Sequence, residues 1–426
     1  MRKNISYILF FIGLGLLMFL SDLWYSNLFN MDMWKYLFLL LILVSFTVIL
    51  DLIEEKSFDI YCLCFLVLVG SIILIISDNL LLIYLGLELQ TFSVFILIAK
   101  NRVSIKGSEA GLKYFMLGAL SSGFYLLGLV VLFLSGYSFD LNDIYTLCLT
   151  EESIVLLSFT LIIISFCFKL SLFPFHFWIP DIYEGSSWDI IALISTLPKI
   201  SVLSIIIQVL LNINLVLTFC LFSIAIGTIG ALNQTKLKRL LAYSGIGHMG
   251  FIVLSYNIFN SSGYITGGTY LLIYMLTMIS ILILIINRNF KNEFIIELSN
   301  IKFINKLLAI SLALLILSVA GMPPLSGFIS KWYLIWMSID NNYLISSSII
   351  IIFSAIGAGY YLRLVKIIYF QKKSSYLLWK RILSVEERSD EFSTFFLGLL
   401  IFFTLFLIFN FSLIINMISF LFIKFY

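Results

Sequence analysis

Apolar runs near twenty residues long recur from one end of this 426-residue chain to the other. Twenty residues is the length a helix needs to cross the hydrocarbon core of a bilayer, at 1.5 Å of rise per residue. A backbone in lipid must satisfy its own hydrogen bonds, so only helices and closed barrels span. The short alternating segments of a barrel are absent from the pattern. Composition agrees: 62% of the residues are hydrophobic and 12% are charged, about half the charged share of an ordinary soluble domain. The fold class read from this pattern is an all-α polytopic membrane protein.

The runs divide into thirteen expected spans, near 5–20, 33–50, 59–77, 80–99, 112–135, 154–187, 188–211, 214–232, 239–256, 264–286, 306–340, 344–366 and 394–423. The first could pass for the apolar part of a secretion signal. No small-residue cleavage site follows it, so it is read as a helix of the mature chain. Basic residues test the count, because they collect on the cytoplasmic or matrix side. With these spans, 20 of the 26 Lys and Arg residues fall on the side of the N-terminus, including Lys236, Lys238, Arg239 and the cluster from Arg363 to Arg388. Lys35 and Lys424 fall on the other side, where the loop at 136–153 is acidic. The expected topology places the N-terminus in the matrix or cytoplasm and the C-terminus opposite.

Four lysines fit neither side: Lys113, Lys169, Lys199 and Lys331 lie within apolar spans. A charge at bilayer depth costs about 2.5–3.5 kcal/mol even on lenient scales. Such a group faces the protein interior, finds a partner or gives up its proton. Only one carboxylate, Glu88, reads as equally buried. Lysines outnumbering acids in this way cannot all be held by ion pairs, which favours amines that take up and release protons. Two spans are also too long for one crossing, and each has a breaker at its centre: LFPFH with Pro174 in 154–187, and GMPPLSG with Pro323 and Pro324 in 306–340. Proline removes a backbone donor and clashes with the turn before it. Irregular backbone at this depth belongs beside a cavity or inside protein. Lys169 precedes the first break and Lys331 follows the second.

The broken spans are the sixth and eleventh. A repeat of five helices returns inverted, so spans 3–7 and 8–12 read as two inverted five-helix repeats, as in many transporters. The expected organisation is N-terminal helices at 1–58, a first repeat at 59–211, a second at 212–366, and a loop with a C-terminal helix at 367–426. Each repeat carries one broken span with a lysine near its break. The only two histidines, His176 and His248, fall beside this polar axis, and histidine can relay protons near neutral pH. His248 is a candidate relay; His176, next to the first break, can equally cap it. The five cysteines show no metal-ligand spacing and read as small buried hydrophobes. No phosphate-binding glycine loop or cluster of metal ligands is apparent, so no cofactor is expected on this chain.

Five motifs resemble a known family: GLELQTFSVFILIA (Gly86–Ala99), EAGLKYFMLGALSSG (Glu109–Gly123), KLSLFPFHFWIPDIYEGS (Lys169–Ser186), QTKLKRLLAYSGIGHMG (Gln234–Gly250) and LSVAGMPPLSGFISK (Leu317–Lys331). They are similar to the antiporter-like, proton-pumping subunits of respiratory complex I (NADH:ubiquinone oxidoreductase). The run PDIYEG and the lysine after the second break resemble the NADH dehydrogenase subunit 2 branch in particular. The resemblance implies a Glu88–Lys169 ion pair, Lys199 as central relay and Lys331 as the residue exchanging with the far side, with a less defined part for Lys113. It implies a subunit of a proton-translocating enzyme whose FMN, iron–sulfur clusters and ubiquinone lie on partner chains. Expected partners are the antiporter-like subunit 4, small membrane subunits, accessory subunits and lipids such as cardiolipin, with no nucleic acid. The expected location is the mitochondrial inner membrane, and the Phe-, Ile- and Asn-rich composition fits an organelle gene. EGSS stands where the family has EGAP, and one N-terminal helix of bacterial members has no counterpart. A cation/proton antiporter subunit and a non-conducting scaffold are the other readings the sequence leaves open.

Overall fold

The computed structural model describes residues 32–53, 57–100, 104–141, 153–209, 213–258, 261–286, 294–371, 391–407 and 410–422. The expected first span at 5–20, and most of the basic cluster after Arg363, lie outside these residues. Among the described residues the regular structure is entirely helical. Eight helices are long and apolar enough to cross a membrane, or nine if one sharply bent pair is counted as a span. The chain divides into two compact units, residues 1–219 with 421–426, and residues 220–420.

The first unit holds α1 (Met33–Leu52), α2 (Phe58–Ile76), α3 (Leu80–Ile98), α4 (Ile105–Leu134), α5 (Ser153–Lys169), α6 (Trp178–Gly185) and α7 (Trp188–Val209). Helix α7 is its centre, packed on α1, α2, α3 and α5, with 89% of its apolar window buried. The outer α4 is only 28% buried, as a helix facing lipid can be. Helices α2 and α3 lie close because Gly86 has no side chain to meet Leu74: a Cβ there would stand 2.8 Å from its Cγ.

The second unit holds α9 (Leu237–Asn257), α10 (Ser261–Ile286), a 3₁₀ turn (Ile295–Asn300), α11 (Ile301–Ile304), α12 (Lys306–Ala320), α13 (Ser326–Asp340), α14 (Leu344–Phe370), α15 (Glu391–Phe406) and α16 (Phe411–Leu421). Helix α8 (Ile213–Leu232) joins it to the first unit along the sequence. Here α10 is the centre, 89% buried and packed on α9, α12, α13 and α15.

Both breaks fall where proline placed them. The expected span 154–187 is α5 and the short α6; the expected span 306–340 is α12 and α13. The expected C-terminal span at 394–423 is sharply bent: it holds α15 and α16, inclined by 99°.

Two charge assignments also change. Lys35 does not lie in a solvent loop: it is 0% exposed and its Nζ sits 2.6 Å from the carboxylate of Asp78, itself 10% exposed. Asp78 is thus a second buried acid, whereas Glu88 is only half-buried. The pair ties the start of α1 to the connection between α2 and α3, where Asn79 also donates to Asp140 at 2.9 Å. Breaking a buried pair from one side leaves a bare charge and costs about 3–5 kcal/mol. Lys35→Ala is therefore expected to lower the thermal stability of the assembled subunit sharply, and Lys35→Met with Asp78→Leu to restore most of it. Equal melting of the single variant and the wild type would contradict this.

Candidate functional site

A helix that stops inside a membrane leaves its last four carbonyls without partners, and each must find one locally. In α12 all four do. Gly321 adopts the left-handed conformation, φ 83°, and the chain closes as a Schellman turn. The amide of Met322 donates to Leu317 O at 3.1 Å and that of Gly321 to Ser318 O at 3.0 Å. The remaining two carbonyls, of Val319 and Ala320, accept from Lys331 Nζ at 3.1 and 2.7 Å. Pro323 and Pro324 prevent the helix from continuing, and α13 then carries Lys331 back to the open end. The ammonium also meets the negative end of the α12 dipole. An ammonium has three donors; two are used on carbonyls, and the third is the proton that can leave without breaking either bond.

Lys331 is 8% exposed and lines a small cavity of about 10 Å³ together with His248, Tyr270, Tyr274, Thr277 and Ser330. That is space for roughly one water molecule. The structure thus brings His248 and Lys331, which lie far apart in sequence, to one polar chamber within the second unit. His248 is buried, with Nδ1 2.9 Å from the Tyr270 hydroxyl and Nε2 3.2 Å from that of Tyr361. Neither tyrosine was legible as a site residue. The only signal was a Tyr at 270 and another at 274, four apart on one face of an apolar helix, which reads equally well as core.

The first break is closed differently. At the end of α5, Phe166 O accepts from the Leu170 amide, Cys167 O from the Leu172 amide, and Phe168 O from Ser171, at 2.9, 2.9 and 3.1 Å. The Trp178 indole adds a 3.1 Å bond to Phe168 O. Lys169, in the last turn, is half-buried. Glu88 on α3 is the carboxylate whose field reaches it, but the expected pair is not in direct contact among the described residues. The Glu88 carboxylate instead lies 3.4 Å from Thr91 Oγ1. Two residues on, Gln90 donates to Ser201 of α7 at 2.9 Å, fixing α3 against the helix that bears Lys199.

Lys199 is 2% exposed, and its Nζ has no hydrogen-bond partner. Pro198 precedes it inside α7 and frees the carbonyl of Ile194 from its usual helical bond. A sealed amine beside a loosened turn is an expensive arrangement for structure alone. His176 is buried as well, with Nδ1 unpartnered and its ring 4.3 Å from that of Phe177.

Lys113 is the correction. It is not one of the unmatched amines: its Nζ lies 2.6 Å from Glu109 and 2.7 Å from Asp181, and the side chain is 39% exposed. With Lys106–Glu184 at 2.9 Å, these pairs dock α6 on α4. The apolar run around Lys113 concealed partners on its own helix and on one 68 positions away. The set of unmatched lysines is therefore Lys169, Lys199 and Lys331.

Helices interrupted at membrane depth, with amines at or near the breaks, define a class of ion- and proton-translocating membrane proteins. Comparison with known proteins places the chain within it. Residues 77–357 match the family model described as NADH:quinone oxidoreductase/Mrp antiporter, TM. The NADH-ubiquinone oxidoreductase chain 2 of Metridium senile is 39% identical over 334 residues, covering 76% of this chain and 87% of that one. The NADH-quinone oxidoreductase subunit N of Pelagibacter ubique is 33% identical over 75% and 72%. A chain of respiratory complex I from Thermus thermophilus shares the fold, with a TM-score of 0.82, 24% identity and coverage of 97% and 93%. A chain of the Mrp complex from Dietzia does so too, at 0.85 and 17% identity over 99% and 91%. The chain belongs to the NADH:quinone oxidoreductase/Mrp antiporter family, among the relatives named chain 2 and subunit N.

The second break yields a direct test. A Cβ on Gly321 would stand 2.8 Å from Lys331 Cδ and 3.1 Å from its Nζ, and the left-handed backbone costs a β-carbon about 1–2 kcal/mol. Gly321→Ala is expected to destabilise the subunit by about that amount and to displace Lys331 from the carbonyls. Unchanged thermal unfolding of the assembled complex would contradict it.

Proposed function

We propose that this chain is a proton-translocating membrane-arm subunit of an NADH:quinone oxidoreductase, with Glu88, Lys169, Lys199, His248 and Lys331 as the groups that carry protons. The observation that carries the reading is Lys331: an amine held on the carbonyls of a broken helix, with one proton left over and a water-sized chamber shared with His248. Relatives similar over three-quarters of the chain are named as subunits of such enzymes.

In this reading the redox chemistry takes place on partner chains, which hold the flavin, the iron–sulfur clusters and the quinone. A push from those partners changes the distance between Glu88 and Lys169. When the two are apart, the unpaired ammonium is costly and releases its proton; when they meet, it is retained. Lys199, sealed and unpartnered, accepts and passes the charge, and Lys331 exchanges it. Moving one charge against the field costs about 2.3 kcal/mol per 100 mV, so the drive must come from outside this subunit. Thirteen spans in two inverted repeats, the four segments at 1–58, 59–211, 212–366 and 367–426, and an N-terminus on the matrix side of the mitochondrial inner membrane belong to the same proposal. They are supported by the separation of basic residues and by the five-span interval between breaks. Neighbouring antiporter-like and small membrane subunits, accessory subunits and lipids complete the proposed setting.

The test is NADH-driven proton uptake by the assembled enzyme in proteoliposomes. Lys199→Ala and Lys331→Ala are each expected to reduce uptake about tenfold or more, the scale of losing a positioned proton carrier, with assembly intact. Lys113→Ala is expected to act through α6 docking and to cost much less. Wild-type uptake in the Lys199 and Lys331 variants would favour a scaffold, and sodium-dependent transport by the chain alone would favour an antiporter.

A further inference from the structure

His248 is held unusually for a buried histidine. A structural histidine commonly gives its N–H to a carbonyl or carboxylate, which fixes one tautomer. Here both ring nitrogens face hydroxyls, Tyr270 at Nδ1 and Tyr361 at Nε2. A hydroxyl both donates and accepts, and its hydrogen rotates to suit. Either tautomer of the ring is therefore satisfied in the same heavy-atom arrangement, and the ring can change tautomer without losing a bond.

The three groups also join two different surroundings. Tyr270 lines the chamber that contains Lys331, as His248 does. The Tyr361 hydroxyl instead bonds Ser244, one helical turn before His248 toward the start of α9, and Tyr360, with the Tyr360 ring 4.3 Å from its own. Two residues on in α14, Arg363 donates to Leu232 of α8, just before α9 begins.

Resting on the proposed function of Lys331, we infer that Tyr361, His248 and Tyr270 form a proton wire that feeds the Lys331 chamber from the side where α9 begins and α14 ends. In one transfer Tyr361 gives its hydroxyl proton to Nε2 and receives another from the neighbouring hydroxyl side. The Nδ1 proton passes to the Tyr270 oxygen, and the Tyr270 hydroxyl proton leaves into the chamber. Each group gains one proton and loses one, so neither a tyrosinate nor an imidazolium accumulates. The wire resets when the two hydroxyls rotate and the ring regains its first tautomer, Nε2 giving its proton to, and Nδ1 taking one from, water in the chamber that His248 also lines.

The experiment uses the assembled enzyme in proteoliposomes, with NADH-driven proton uptake measured in H₂O and D₂O. Tyr361→Phe and Tyr270→Phe keep the rings and remove only the hydroxyls. Each is expected to lower uptake about tenfold with the complex assembled, and to raise the solvent isotope effect as proton transfer becomes limiting. If both variants pump as the wild type while Lys331→Ala fails to, the wire is wrong and the role of Lys331 stands. If Lys331→Ala pumps normally, that role fails and the wire with it. Should a variant not assemble, infrared difference spectra of the wild-type enzyme during turnover decide, using the imidazole bands that His248→Gln removes. Alternation between the two tautomers supports the wire, and one fixed tautomer throughout overturns it.

Discussion

The open end of α12 is the constraint on which the second unit depends. In water, four unpartnered carbonyls would be solvated at little cost. At bilayer depth each would cost several kcal/mol, so the chain must supply donors. A glycine-closed turn supplies two and the Lys331 ammonium the other two. The amine is thus placed by a structural need, and its position follows from which carbonyls the turn leaves open. Once there it is enclosed, because α13 must fold back against α12 and α10 to deliver it. Placement and reactivity have one origin.

The first unit meets the same need with different groups. Backbone amides and the Trp178 indole take the α5 carbonyls, so Lys169 is not tied to the break. This difference matters. Lys331 sits in a well-defined site, while Lys169 stands in the field of Glu88 without touching it, as a group whose partner distance can vary. Lys199 is more extreme, sealed and without any hydrogen-bond partner. The three amines are graded from held, through loosely held, to unheld.

What the sequence disclosed was local, and what it hid was contact. Pro174, Pro323 and Pro324 located the breaks because proline acts on its own turn. The apolar run lengths located most helices for the same reason. The Lys35–Asp78 pair could not be read, since its members lie 43 positions apart and Lys35 sits close enough to a run end to pass for a loop residue. Lys113 was misjudged in the opposite direction, its partner Asp181 lying on a short helix that the pattern folded into a longer span. The His248–Tyr361 contact joins positions 113 apart, and a tyrosine in a membrane helix is ordinarily core or interface. The bend between α15 and α16 escaped because no proline or glycine stands between Leu399 and Phe411 to mark it.

The central claim is that Lys331 is a wet amine inside a dry protein. A high-resolution electron density map of the assembled complex in lipid tests it most directly. The account predicts at least one ordered water in the chamber between His248, Tyr270 and Lys331, hydrogen-bonded to Nζ while the ammonium keeps both carbonyls of Val319 and Ala320. A chamber filled by side chains, with the amine turned out to the lipid or to another partner, would contradict it.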